Sequence, residues 1–251
     1  MPLSFLAHLH LHGSQRAPAE GGDPDVELVF WTGTWDAHIR AGDLFAPGGL
    51  ELLGEAAVAA DYEGRRWQEA RAQVRRILRE AAIDDPDFFA GKVVAEIGPG
   101  PVGFPEACGA QTAIAIEPLA PRLAAAGLLL GRAAVYLACG AERIPLLDAS
   151  VDVIVIRNAL DHVADPAAVM GEAGRLLRPG GTLILNVDVD SAPTEAEPHT
   201  FTVEDVRRLV APLQIDTERV TEEPHGHTGR QMVVVARASQ GGSTGRSRPP
   251  P

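Results

Sequence analysis

The feature that most constrains the fold is a short apolar run that leads directly into a glycine-rich loop. The run covers residues 93–97 (VVAEI) and the loop covers residues 98–103 (GPGPVG), after which a short helical pattern begins. Glycine lets a backbone turn sharply and approach a ligand closely, because it has no Cβ. In open α/β sheets, ligands bind beyond the carboxyl ends of the strands. The segment therefore predicts the first strand, turn and helix of a nucleoside-binding α/β domain.

From residue 92 onward, short apolar runs alternate with helical patterns, which predicts a doubly wound α/β fold. The apolar strands suit a mostly parallel, seven-stranded sheet that is covered on both faces. The last two runs lie close together in sequence and predict an antiparallel C-terminal edge pair. The predicted strands are 92–97, 112–116, 133–138, 151–157, 181–188, 213–220 and 230–236, and the predicted helices are 103–109, 119–130, 165–178 and 202–212.

The chain divides into four predicted regions. Residues 1–25 are expected to be poorly ordered, 26–90 to form an N-terminal helical cap or lid, 91–238 to form the binding domain, and 239–251 to be a disordered tail. Within the cap, helices are predicted at 50–60 and 62–81. The second of these carries six arginines, which we interpret as a solvated helix face.

Charge and cysteine content exclude several classes of function. The 251 residues include 34 acidic and 22 basic side chains, for a net charge of -12, which argues against nucleic-acid and anionic-membrane partners. The two cysteines, Cys108 and Cys139, form neither a disulfide framework nor a zinc module. No signal-peptide pattern and no apolar run of membrane-spanning length is found. We therefore expect a cytoplasmic protein with a small-molecule substrate, and the sequence does not indicate its oligomeric state.

The glycine loop alone leaves its ligand open. Its spacing also fits the dinucleotide pattern G-x-G-x-x-G, and Glu117 follows the next strand, where an acidic ribose ligand is expected in NAD-dependent dehydrogenases. A third interpretation is a Gly-Pro turn that only ends a strand.

Four segments, taken in order, resemble class I S-adenosylmethionine-dependent methyltransferases, within the small-molecule methyltransferase type 11 or ubiquinone/menaquinone-like group. They are 96–103 (EIGPGPVG), 116–118 (IEP), 140–145 (GAERIP) with 150–154 (SVDVI), and 158–163 (NALDHV) leading to 176–183 (LLRPGGTL). The resemblance implies a Rossmann-like transferase with S-adenosylmethionine as cofactor.

The resemblance also implies roles for individual residues. Glu96 would lie near the methionine ammonium of the cofactor, and Glu117 would accept hydrogen bonds from the ribose hydroxyls. Ala141 and Glu142 would border the adenine, although Gly140 stands where many relatives have an aspartate. The full set of implied cofactor-binding residues is Glu96, Gly98, Pro99, Gly100, Gly103, Glu117, Pro118, Ala141, Glu142 and Asn158.

Methyl transfer from a sulfonium needs positioning and proton removal more than a nucleophilic side chain. His162 is the predicted general base, because imidazole titrates near neutrality; the alternative is a packing and helix-capping role. The segment after the fourth strand lacks the Asn/Asp-Pro-Pro-Tyr/Phe motif of many adenine and glutamine N-methyltransferases. It also lacks the spaced acidic set of catechol-type enzymes, so no metal is predicted.

Substrate choice is expected in residues 26–90 and 188–202, the segments that vary most among such enzymes. The predicted substrate-binding residues are Trp31, Trp35, Tyr62 and His199. For the tryptophans, anchoring of the N-terminal helices is the alternative.

The leading hypothesis is methyl transfer to a small organic acceptor, with oxygen favoured over nitrogen or carbon. The alternatives are an NAD-type oxidoreductase and a non-catalytic, methyltransferase-like binding protein.

Overall fold

The computed structural model describes residues 21–44, 48–131, 133–222 and 230–240. The predictions for residues 1–20 and for the tail from residue 241 onward therefore lie outside the described residues.

One mixed seven-stranded sheet forms the centre of the molecule. Its strand order is β3-β2-β1-β4-β5-β7-β6, with parallel pairing from β3 through β5 and antiparallel pairing of β7 with both β5 and β6. The predicted doubly wound fold with an antiparallel C-terminal edge is confirmed. The strands are β1 (Val93–Ile97), β2 (Thr112–Ile116), β3 (Ala134–Leu137), β4 (Val151–Arg157), β5 (Leu177–Val189), β6 (Gln214–Thr221) and β7 (Arg230–Arg237).

Helices cover both faces of this sheet. The helices are α1 (Pro24–Val29), α2 (Asp36–Ala41), α3 (Gly49–Leu53), α4 (Tyr62–Glu80), α5 (Phe104–Ala107), α6 (Ala120–Ala125), α7 (Pro166–Leu176) and α8 (Val203–Val210), with a π-helical turn (Phe30–Trp35) joining α1 to α2. Apolar side chains of α4 and α5 pack on one face, and those of α7 and α8 pack on the other. Because successive strand residues point to opposite faces, Glu96 lies on the α4 side with Val94.

Two predictions for the N-terminal helices are wrong in part. The helix expected over 50–60 ends at Leu53, because Gly54 adopts a left-handed φ of +65° and terminates it. The arginine stripe of α4 is also not uniformly solvated, since Arg66 and Arg76 are buried. Arg66 donates to the carbonyl oxygens of Pro101 and Leu128, and so joins α4 to the glycine loop.

A separate apolar cluster anchors the helical segment 24–41. It is built around Trp35 and Ile39 of the segment and Leu119, Leu123 and Leu128 of the sheet domain, all of them buried. Among the described residues, no helix is long and apolar enough to cross a membrane.

Candidate active site

The glycine loop follows β1 and turns through left-handed backbone conformations. Gly98 has φ +66° and Gly100 has φ +53°, values that side chains with a Cβ rarely adopt. A Cβ on Gly98 would lie 2.6 Å from the Cβ of Ala159, in the loop after β4. The two loops therefore touch, because β1 and β4 are neighbours in the sheet.

The residue ahead of this loop, Glu96, is a buried carboxylate whose Oε2 has no hydrogen-bond partner. Burial raises its pKa to about 8; the positive charge of Arg157 lowers the pKa, and the negative charge of Glu117 raises it. Arg157 itself donates to Gln73 on α4. An unpartnered, buried carboxylate is costly, and a cationic ligand group would compensate it.

Glu117 follows β2 and uses both carboxylate oxygens to hold the backbone. Oε2 accepts from the amide of Gly100 at 2.9 Å, and Oε1 accepts from the amide of Leu119 at 2.8 Å. Burial raises its pKa to about 7, and the charge of Glu27 adds to the increase. Pro118, the next residue, is exposed. The acidic residue of the second strand thus braces the glycine loop.

Trp31 lies on the glycine loop. A Cβ on Gly100 would come within 2.6 Å of its indole ring, so the missing side chain makes room for the tryptophan. The indole Nε1 donates to Glu27 at 3.2 Å. Trp31, predicted to bind substrate, therefore contacts the side of the site where the cofactor is expected.

The other predicted substrate-binding residues are dispersed. Trp35 is fully buried in the N-terminal cluster and presents no surface to a ligand. Tyr62 is half-buried and donates to Asp36. His199 is half-buried, and its Nε2 lies 2.8 Å from the carbonyl oxygen of Val163. Of the four, only Trp31 and His199 border the two loops described above.

Of the predicted adenine-side residues, Ala141 is buried and Glu142 is committed to a structural contact. Oε1 of Glu142 accepts from the amides of Ala164 at 2.9 Å and Asp165 at 3.4 Å. A Cβ on Gly140 would lie 2.8 Å from Oε2 of Glu142, so the glycine leaves room for this carboxylate. Asn158 is exposed, with a left-handed φ of +43°.

A carboxylate–histidine cluster, formed by Asp161, His162 and Glu197, lies in the loops after β4 and β5. His162 Nε2 is 3.9 Å from Asp161 Oδ1 and 3.9 Å from Glu197 Oε1. Asp161 is buried and its Oδ1 has no hydrogen-bond partner. Burial raises the pKa of Asp161, whereas the neighbouring His162 lowers it.

Residues 21–23 tie these two loops together. The amide of Gly22 donates to the carbonyl of His162 at 2.8 Å, and the amide of Asp23 donates to the carbonyl of Glu195 at 3.3 Å. A Cβ on Gly22 would lie 2.0 Å from the carbonyl oxygen of Ala196, which leaves no space for any other residue. The cluster is therefore held by three separate stretches of chain.

Sequence reasoning identified His162 and missed its two carboxylate neighbours. Asp161 is adjacent to His162 in the sequence and could have been predicted with it. No sequence pattern places Glu197 near either residue. The loop histidines His225 and His227 lie outside the described residues.

Residues 95–185 match the methyltransferase domain family. An uncharacterized methyltransferase of Mycobacterium sp. strain JLS is 30% identical over 146 residues, which cover 57% of this chain and 56% of the relative. Another, from Mycolicibacterium vanbaalenii, is 35% identical over 107 residues, covering 41% of this chain and 42% of the relative. The chain thus spans about half the length of the curated relatives it matches.

Solved structures share the fold at low sequence identity. An S-adenosylmethionine-dependent methyltransferase of Mesorhizobium loti superposes with a TM-score of 0.52 at 16% identity, covering 67% of this chain and 97% of the other. The [4+2]-cyclase SpnF superposes with a TM-score of 0.53 at 14% identity, covering 82% and 96%. Residues 95–185 are therefore similar to the methyltransferase domain family, and the fold around them is one that S-adenosylmethionine-dependent methyltransferases share.

Proposed function

We propose that the protein is an S-adenosylmethionine-dependent methyltransferase that transfers the methyl group to an oxygen atom of a small organic acceptor. The observation that carries the proposal is the contact between the glycine loop and the loop that bears the carboxylate–histidine cluster, at Gly98 and Ala159. This contact brings a buried carboxylate for a cationic ligand and a set of proton-accepting groups to one edge of the sheet.

The cofactor, when bound, supplies an electrophilic methyl group on a sulfonium. The chain then has two tasks. Glu96, with its unpartnered oxygen, binds the ammonium end, and the glycine loop fixes the position of that end. When a hydroxyl is methylated, a C–O bond forms, an S–C bond breaks and the hydroxyl proton must leave, so a proton-accepting or charge-stabilising group beside the acceptor favours oxygen.

The acceptor side fits a small molecule. Residues 21–23 bridge the loops after β4 and β5, and Trp31 covers Gly100, so the N-terminal segment restricts this edge. Restricted access excludes water from the transfer step.

One structural neighbour is a cyclase, and a shared fold does not fix an activity, so the test must detect both cofactor and product. First, the melting temperature of the full chain is measured with S-adenosylhomocysteine and with NADH. We expect stabilisation by S-adenosylhomocysteine only; stabilisation by NADH alone would instead establish the oxidoreductase alternative.

Second, methyl-labelled S-adenosylmethionine is incubated with matched panels of small phenols, alcohols, amines and carbon acids. Label is expected on the hydroxyl compounds, and the Glu96→Gln variant should transfer less. Glu51→Gln, an exposed carboxylate on α3, is the control. Label confined to nitrogen or carbon would contradict the oxygen assignment, and binding without transfer would favour the non-catalytic alternative.

A further inference from the structure

We propose that the carboxylate–histidine cluster binds a divalent transition-metal ion through Asp161 Oδ1, His162 Nε2 and Glu197 Oε1. Each of the three residues offers one ligand atom that lies within 4.8 Å of the other two, and His162 Nε2 is 3.9 Å from Asp161 Oδ1 and from Glu197 Oε1. They come from two loops, and each ligand residue contributes one atom that faces the other two.

The unpartnered oxygen of Asp161 independently points to a ligand. The residue is 4% exposed, and its Oδ1 is aimed at His162 Nε2 without reaching hydrogen-bond distance. A buried carboxylate oxygen with no donor costs free energy, and the second carboxylate, Glu197, adds charge of the same sign. A divalent cation between them would neutralise both.

The donor set indicates which cation fits. One imidazole nitrogen with two carboxylate oxygens suits zinc, manganese or iron, whereas magnesium and calcium prefer oxygen ligands throughout. Bonds of about 2.1 Å would bring adjacent ligand atoms to about 3.0–3.5 Å from each other, so the observed 3.9 Å separations need to close by less than about 1 Å. Three protein ligands leave coordination positions open, as in catalytic sites.

The loops that carry these ligands are preorganised by the backbone. Gly22 is bonded to the carbonyl of His162 and packed on the carbonyl of Ala196, next to Glu197. On the far side, His199 is in contact with the carbonyl of Val163. Metal binding therefore requires small side-chain movements and no refolding of either loop.

The catalytic consequence of this site rests on the proposed function. A metal ion with an open coordination position would bind the acceptor hydroxyl and lower its pKa, so the hydroxyl would lose its proton to solvent water before methyl transfer, without a protein base. His162 would then be a ligand and a positioning residue, and the sequence predictions of a histidine base and of no metal would both be replaced.

The test measures metal binding in the absence of cofactor and acceptor, so its failure is distinguishable from a failure of methyl transfer. The full chain is stripped with a chelator and titrated with Mn²⁺ and, separately, Zn²⁺ by calorimetry. Binding of Co²⁺ is followed by its visible absorption, which reports the coordination number and geometry of the bound ion. Because His8, His10 and His12 form an alternating set that also attracts metals, the titrations are repeated with all three changed to alanine.

We expect one equivalent of metal to bind in the background that carries these three alanines. Glu197→Gln should weaken it about tenfold or more, because it removes a ligand charge. The matched control is Glu195→Gln, an exposed carboxylate two residues away on the same loop, which should leave the affinity unchanged. No binding in the background variant, or equal affinities for the two glutamine variants, would overturn the proposal.

Discussion

The Glu96→Gln substitution tests whether the Glu96 side chain is buried and protonated in the folded chain, and whether it binds the proposed cofactor. The substitution preserves size and removes the ionisable group. In the folded chain, burial raises the pKa of Glu96 from 4.5 to about 8, so near neutrality the folded chain holds a proton that the unfolded chain has released. Because the folded pKa is the higher one, stability decreases as pH rises from about 4.5 to about 8 and levels off above that range.

The magnitude follows from the two pKa values. Between about pH 6 and about pH 8.5, one group with these values lowers the free energy of unfolding by about 2–3 kcal/mol. For a chain of this size, that corresponds to a decrease of about 5–10 °C in melting temperature. Glu117, whose pKa is raised to about 7, acts in the same direction below that pH and is present in both proteins.

The assay is a pair of thermal or urea unfolding series without ligand at several pH values. We expect the free energy of unfolding of Glu96→Gln, relative to that of the natural chain, to grow with pH by about 2–3 kcal/mol. The affinity of the natural chain for S-adenosylhomocysteine should rise about tenfold or more over the same range, since the ionised carboxylate binds the ammonium, while that of Glu96→Gln stays low. If the free energies of unfolding of the two proteins changed in parallel with pH, the assignment of Glu96 as a buried carboxyl group that is protonated in the folded chain would be refuted.

Three further changes test the packing around the site. Trp35→Ala empties a fully buried position and should cost about 3–5 kcal/mol, measured by urea unfolding, with the exposed Thr34→Ala as control. Gly22→Ala places a Cβ against a carbonyl oxygen and should destabilise the loops after β4 and β5, which would be measured as faster hydrogen exchange in those loops. Unchanged exchange would contradict the inference that residues 21–23 hold the two loops together. Glu117→Gln puts a donor opposite the amides of residues 100 and 119, and should lower stability by about 1–3 kcal/mol even without cofactor.

The sheet was predictable because its signals are local. The strands over 112–116 and 151–157 match their predicted bounds, since a mostly apolar run of that length needs burial on both faces. The helix over 50–60 was overextended because the apolar pattern continues past Gly54, and the left-handed turn at that glycine ends it. Burial of Arg66 was not predictable, because a charge pattern does not reveal which carbonyl groups a neighbouring loop presents.

The candidate site could be predicted only in part, again because the signals that a sequence carries are local. Glu96 and Glu117 end adjacent parallel strands, so their positions follow from the fold. The proximity of Asp161 and Glu197 depends instead on how two loops are joined. The junction is made by His199 and by residues 21–23, which are far away in sequence. A long-range backbone contact of this kind leaves no periodic or compositional trace.

The packing of Trp31 also changes what the N-terminal segment does. The sequence placed this residue on the acceptor side, but its ring occupies the space above Gly100. Its hydrogen-bond partner, Glu27, raises the pKa of Glu117, which in turn holds the amide of Gly100. The segment 24–41 is thus coupled by packing and charge to the glycine loop, while residues 21–23 bind the loops after β4 and β5. Residues 21–41 therefore contact both the glycine loop and the loops that carry the carboxylate–histidine cluster.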